Sequence, residues 1–418
     1  MSVRHFALLL PLFAAACTGA EPKAGPPGNH DWPQWQGPDR TNVSTEKGLL
    51  KEWPKDGPPI AWTAQNLGAG YSTPSIAKGR VFLMGAIDGD ECVIALNEET
   101  GDQLWNRKIG PGGGAGGFDG PRSTPTVDGD RLYALGVHGE LACLNVADGE
   151  IVWHKDLRKD FGGSVGGWGY CESVLIDGDT LVCTPGGKTS IAKLKKNDGS
   201  VVWKAQIPGN DQAAYSSPIL AEINGVKQYI QFMSRGVVSV AAEDGKFLWR
   251  FDRPANGTAN CSTPIAHDDL VFAASGYGRG GGLARVTKSG STFEAEQVYE
   301  TVKMKNHHGG MVLVGDYLYG SDEGLLTCLD FKTGDVKWES RNTGKGSITA
   351  ADGQLYYRNE GSGDVFLVEA TPEKYIEHGR LKQPERSRAS AWPHPVIANG
   401  KLYLRDQDKM FVYDVRAK

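Results

Sequence analysis

One unit recurs along this chain and leaves few folds open to it. ALNEETGDQLW ends at Trp105, CLNVADGEIVW at Trp153, KLKKNDGSVVW at Trp203, SVAAEDGKFLW at Trp249 and CLDFKTGDVKW at Trp338. In all five a glycine stands four residues before the tryptophan: Gly101, Gly149, Gly199, Gly245 and Gly334. Taken as five steps, the stretch from Trp105 to Trp338 gives about 47 residues per unit, a period that marks a radial or stacked array of small sheets. A further copy, RVTKSGSTFE, keeps Gly290 without a tryptophan, and LVEATPEKYIE keeps neither residue.

A second element opens each unit. It reads YSTP at Tyr71, RSTP at Arg122, YCES at Tyr170, YSSP at Tyr215 and CSTP at Cys261, with degenerate copies HHGG at His307, KGSI at Lys345 and WPHP at Trp392. Each opening runs into an apolar strand, a turn and a second strand, as in TPTVDGDRLYAL and PVIANGKLYL, and Asp128-Gly129, Asp177-Gly178 and Asn399-Gly400 offer the positive φ of two-residue hairpins. Strand a, turn, strand b, strand c, glycine turn and a tryptophan-bearing strand d make a four-stranded antiparallel blade. Eight openings predict an all-β, eight-bladed β-propeller over residues 60–418. The eighth blade lacks a Gly-x-x-x-Trp strand, whereas GPPIAWTAQNL near the N-terminus is an orphan of that type. Residues 60–67, with Trp62, are therefore expected to supply strand d of the last blade and close the ring, since an open ring leaves edges unpaired. The strand-d tryptophans are expected to pack between adjacent blades. This grammar resembles the pyrroloquinoline-quinone (PQQ) type of propeller repeat.

Glycine (56 of 418 residues) runs at about twice its usual share without a collagen period, and 39% hydrophobic residues is too many for a disordered chain. With 45 basic against 50 acidic residues, net −5, no broad basic surface is available for nucleic acid.

The N-terminus reads MSVRHFALLLPLFAAAC: Arg4, an apolar run from Phe6 to Ala16 too short to span a bilayer, and small residues before Cys17. Residues 1–17 resemble the signal peptide and lipobox of bacterial lipoproteins, which implies lipidation at Cys17 and, with Thr18 following, an outer-membrane location facing the periplasm. Residues 18–31 read as a flexible tether and 32–59, with Trp32 and Trp35, as a lead-in. Lipobox and eight blades together resemble the propeller lipoproteins of the outer-membrane barrel-assembly machinery. That resemblance implies a non-catalytic binding or scaffold protein whose partners are envelope proteins or a small ligand, touching membrane only through its lipid. The remaining cysteines are expected to be free thiols, because matching repeat positions lie a blade apart.

Several pattern matches carry no chemistry. Gly112–Gly117 and Gly276–Gly281 fit G-x-G-x-x-G, but no helix follows to receive a pyrophosphate; Gly162–Gly166 fits G-x-S-x-G without a strand–elbow–helix. All three read as glycine-rich loops. The informative set is the opening positions, one per blade at one height around the axis: Tyr71, Arg122, Tyr170, Tyr215, Cys261, His307, Lys345 and Trp392, with His308 and His394 close by. They predict a channel mouth able to stack on a planar group and bind anions. Adjacent His307 and His308 would face opposite sides if both lay on a strand, so no metal site is expected. No catalytic residue and no cofactor is expected either. The alternative implied by the repeat family is a PQQ-dependent alcohol or polyol dehydrogenase with Ca²⁺. It lacks support in the sequence: Glu172 is the only carboxylate at an opening, and Cys171 and Cys183 are not vicinal.

Overall fold

The computed structural model describes residues 30–417. The expected signal peptide, Cys17 and nearly all of the tether lie outside them. Seven four-stranded sheets and one five-stranded sheet form the eight blades. The first runs Ser75–Ala77, Arg80–Ile87, Asp90–Asn97 and Gln103–Pro111, each strand antiparallel to the next. The next six span residues 126–156, 175–205, 219–251, 265–301, 311–340 and 346–381. The eighth takes Val396–Ala398, Lys401–Asp406 and Lys409–Asp414 from the C-terminus and Ile60–Ala64 from the N-terminus. The ring is therefore closed as expected: Thr63 pairs with Phe411 and Ala64 with Met410. At Asn399-Gly400 both turn residues have positive φ, whereas Asp128 stays on its strand and only Gly129 of that pair is left-handed. The first is a type I′ pattern and the second has the leading glycine of type II′.

At five of the eight blade junctions an aromatic ring is seated on a glycine of the following blade. A Cβ at Gly101 would come within 2.5 Å of the Trp62 ring. The same holds for Gly149 against Trp105 at 2.6 Å, Gly199 against Trp153 at 2.9 Å, and Gly245 against Trp203 at 2.6 Å. Each tryptophan thus reaches from its own strand d onto the glycine turn of the following blade. The unit that lost its tryptophan substitutes Tyr299, whose ring sits 2.7 Å from a Cβ placed on Gly334. Four of the five polar ends follow one rule, the exception being the unpartnered Trp203 Nε1. Trp62 Nε1 donates to the Glu98 carbonyl (2.9 Å), Trp105 to Val146 (3.2 Å), Trp153 to Lys196 (3.0 Å), and the Tyr299 hydroxyl to Phe331 (2.9 Å), always three residues before the receiving glycine. Beside the aromatic position every c–d pairing has a register shift, as between Cys143 and Leu144 opposite Trp153. Such bulges bend a strand and increase its twist, which aims the ring out of its own sheet.

Residues 32–59, for which the sequence offered only docking aromatics, are built into the disc. Trp32 is fully buried and bridges to Ile76 of the first blade. Arg40 crosses the axis and donates to the carbonyls of Ser173 (3.0 Å) and Pro218 (2.9 Å) on the third and fourth blades. Val43–Ser44 then pairs in parallel with Gly346–Ala351, which makes the seventh blade five-stranded rather than four-stranded. The segment leaves along the seventh and eighth blades, where the Trp53 N–H donates to His378.

Gly149→Ala adds a methyl into the Trp105 ring and also places alanine at φ +72°. Gly290, at the tip of an extended hairpin, has nothing within 4 Å and φ +61°. Both substitutions incur about 1–2 kcal/mol of left-handed strain, and Gly149→Ala a further 1–3 kcal/mol or so of overpacking. Urea unfolding should therefore rank Gly149→Ala clearly below Gly290→Ala, and equal losses would deny the glycine seat its role.

Candidate functional site

At one end of the axis a cavity of about 200 Å³ is lined by Tyr71, Arg122, Tyr215, Cys261, His307, His308 and Trp392 from the blade openings. The lead-in closes its floor. Trp35 donates its indole N–H to Thr263 Oγ1 (2.9 Å) and packs on His394 with centroids 4.6 Å apart. Around the wall the rings form a nearly continuous belt: Tyr71 to Trp392 at 4.5 Å, Trp392 to His308 at 4.3 Å, His308 to His307 at 3.7 Å, and His307 to Tyr277 at 4.6 Å.

One expected member is elsewhere. Tyr170 is buried in the core between the second and third blades, its hydroxyl donating to the Pro185 carbonyl at 2.9 Å, and Cys171 takes its place on the cavity wall. The register shows why. The Thr184 N–H donates to Glu172 as the Met84 N–H does to Ser72, so C-E-S-V, not Y-C-E-S, is the counterpart of Y-S-T-P. Glu172 accordingly sits off the cavity wall, accepting from Thr184 of its own blade and Gln231 of the fourth.

The other openings do varied work. Arg122 donates to the carbonyls of Ala115 (3.0 Å), Phe118 (3.0 Å) and Gly120 (3.2 Å), so its guanidinium clamps the glycine-rich loop over the mouth. Lys345 does not line the cavity; its ammonium lies 2.6 Å from His307 Nδ1 and 3.0 Å from Glu360 Oε2. His394 lies beneath the wall. Its Nε2 donates to the His308 carbonyl (2.9 Å) while Nδ1 accepts from Asn42 (3.2 Å), so the lead-in sets its tautomer. His307 and His308 do not diverge as expected on a strand. They precede Met311–Val314, and in that irregular stretch both rings face the cavity.

Sequence reasoning missed Trp35, Phe118, Trp168, Tyr277 and Glu360. Phe118 packs on Trp392 at 4.7 Å and Trp168 on Tyr215 at 5.6 Å. Three of these aromatics ride on or beside the glycine runs that imitate nucleotide and hydrolase fingerprints. A lone aromatic among glycines (GGFDG, GGWG, GYGRG) was the available signal.

Electrostatically the mouth is quiet. Burial, reinforced by Lys345, lowers His307 to about 4; burial likewise lowers His394 to about 4 and His308 well below its usual range. All three imidazoles are neutral near pH 7. Burial raises the Cys171 thiol to about 12 and Cys261 higher still, so neither is a nucleophile at that pH.

The sequence profile of the family described as outer membrane protein assembly factor BamB matches residues 35–117 and 89–340. The chain belongs to this BamB-like family of PQQ-type propellers. It is 27% identical to outer membrane protein assembly factor BamB of Yersinia pestis over 170 residues, which is 38% of this chain and 39% of that protein. The chain thus spans about a third to two-fifths of the length of the curated relatives it matches. Among solved structures it is similar to BamB from Moraxella catarrhalis (TM-score 0.56, 14% identity, 85% of this chain and 98% of the other). It is also similar to a quinohemoprotein alcohol dehydrogenase from Comamonas testosteroni (TM-score 0.66, 11% identity, 93% and 81%). At these identities the structural likeness is one of fold. PQQ with Ca²⁺ does not fit the residues present: Ca²⁺ takes 6–8 oxygen ligands with carboxylates prominent among them, and among the described residues no carboxylate lines the cavity.

Close to the mouth, Glu91 accepts the Val137 N–H, and burial pushes its carboxyl up to about 8, with Glu140 adding to the rise. A raised folded value means that Glu91 favours folding below the unfolded value and loses that contribution as pH climbs through about 8. Glu91→Gln should accordingly flatten the fall in melting temperature between about pH 5 and pH 8. An unchanged slope would show that Glu91 is ionised in the fold.

Proposed function

We propose that this chain is a lipid-anchored propeller of the outer membrane, facing the periplasm, that acts by binding envelope proteins rather than by chemistry. Its mouth receives one aromatic or apolar side chain of a partner polypeptide. The observation that carries this reading is the mouth itself. A cavity of about 200 Å³ is smaller than the roughly 300 Å³ at which small-molecule sites begin, and it is walled by stacked rings, neutral imidazoles and protonated thiols. Family membership supports it, since the relatives are named outer membrane protein assembly factors. Arg122 and Lys345 have spent their charges on loop carbonyls and on Glu360, which leaves stacking and burial as the means of recognition.

A photo-crosslinking residue in place of Phe118 should yield adducts with envelope proteins in cells. Trp392→Ala should lower that yield about 5- to 30-fold, the loss usual for an aromatic anchor. Cys17→Ser should move the protein from the membrane to the soluble fraction. Reduction of a redox dye by alcohols that depends on added PQQ and Ca²⁺ would instead establish the dehydrogenase reading and overturn this one.

A further inference from the structure

Beside the aromatic belt is a donor set that stacking does not use. His307, His308 and Glu360 each offer one ligand atom, and the three atoms lie within 4.8 Å of one another. Two neutral-type nitrogen donors with one carboxylate oxygen form a set that holds Zn²⁺ with a position left open. A tetrahedral ion with bonds of about 2.1 Å spaces its ligands about 3.4 Å apart, so small side-chain rotations close the set.

Three further observations point the same way. The His308 Nδ1 is buried and has no hydrogen-bond partner, which is costly for a polar atom unless something else satisfies it. A cation already sits among these groups: the Lys345 ammonium is 2.6 Å from His307 Nδ1 and 3.0 Å from Glu360 Oε2. The far nitrogen of His307 meets the Tyr277 hydroxyl at 2.7 Å, the kind of outer contact that fixes ring orientation and tautomer in metal-bound histidines.

We propose that His307, His308 and Glu360 form a binding site for a divalent transition metal of the imidazole-preferring class, Zn²⁺ foremost, in which the Lys345 ammonium holds the place of the ion. The exchange is simple. The ion takes the lone pairs of two imidazoles and one carboxylate oxygen, and the ammonium, still protonated, swings into solvent on its flexible stem, which is about one-third exposed. Because His307 and His308 line the cavity, the open position faces the mouth, where a nitrogen, oxygen or sulfur donor of a bound molecule can complete the shell. The site stands independently of the envelope-binding reading.

The test uses the full chain, purified in detergent, stripped with a chelator and titrated with Zn²⁺ alone by calorimetry, with Co²⁺ absorption as a spectroscopic check. One ion per chain should bind and raise the melting temperature. His308→Ala should weaken binding at least about tenfold, and Tyr277→Phe less, as ligands and their outer partners do. Lys345→Met removes the competing cation and should tighten binding several-fold, an outcome that a misfolded variant cannot imitate. Absence of one-to-one binding, or binding unchanged by both His308→Ala and Lys345→Met, would overturn the proposal.

Discussion

The seating of an indole on a glycine of the next blade is the contact on which this structure depends. A blade alone is a small twisted sheet with two apolar faces, and it becomes stable only when both faces are covered. Trp62, Trp105, Trp153, Trp203 and Tyr299 each bridge that gap, and the glycine opposite is what lets a ring of this size lie against the backbone. The indole N–H of Trp62, Trp105 and Trp153 reaches a carbonyl three residues earlier, whereas that of Trp203 is buried without a partner. Apolar area, close approach and polar satisfaction are met by one spacing. Hence the Gly-x-x-x-Trp interval recurs so faithfully.

The ring would fail at one point without the N-terminal segment. The same segment performs two tasks at opposite radii: near the axis, Trp35, Arg40 and Asn42 floor the mouth and tie the third, fourth, fifth, seventh and eighth blades together, and at the rim Ile60–Ala64 completes the last sheet. The mouth is therefore a blind funnel rather than a through-channel, and its walls are held from beneath. Rigid walls suit the proposed recognition by stacking, because walls already fixed have little side-chain freedom to lose. They also bring two histidines and a glutamate together in a place where no strand periodicity would put them.

Much of this architecture is legible in the chain itself. The blade count, the closing strand and most of the ring at the mouth follow from repeat register alone. Y-C-E-S imitates Y-S-T-P by its aromatic, which hides that Tyr170 stands one residue out of register. The true anchors are the side chain at Ser72 or Glu172, which captures the N–H twelve residues on, and the Thr or Ser that follows, which bonds the neighbouring blade, as Ser173 and Ser217 do. Strand geometry does not govern His307 and His308, because the strand begins only at Met311. Trp35 was invisible as a floor because its partners, Thr263 and His394, lie hundreds of residues away in the chain.

The architecture is written in the repeat: eight wedge-shaped sheets, their order, and the pairing of the two ends. That information is local and repeated, so each copy reports the same packing demand. The character of the mouth emerges on folding, because it is made where unlike segments meet: glycine-rich segments carrying Phe118, Trp168 and Tyr277, a lead-in outside the repeat, and a Lys345–Glu360 pair from the seventh blade. Such meetings leave no period in the chain. They arise from loop paths across the face of the ring, which depend on every blade being in place.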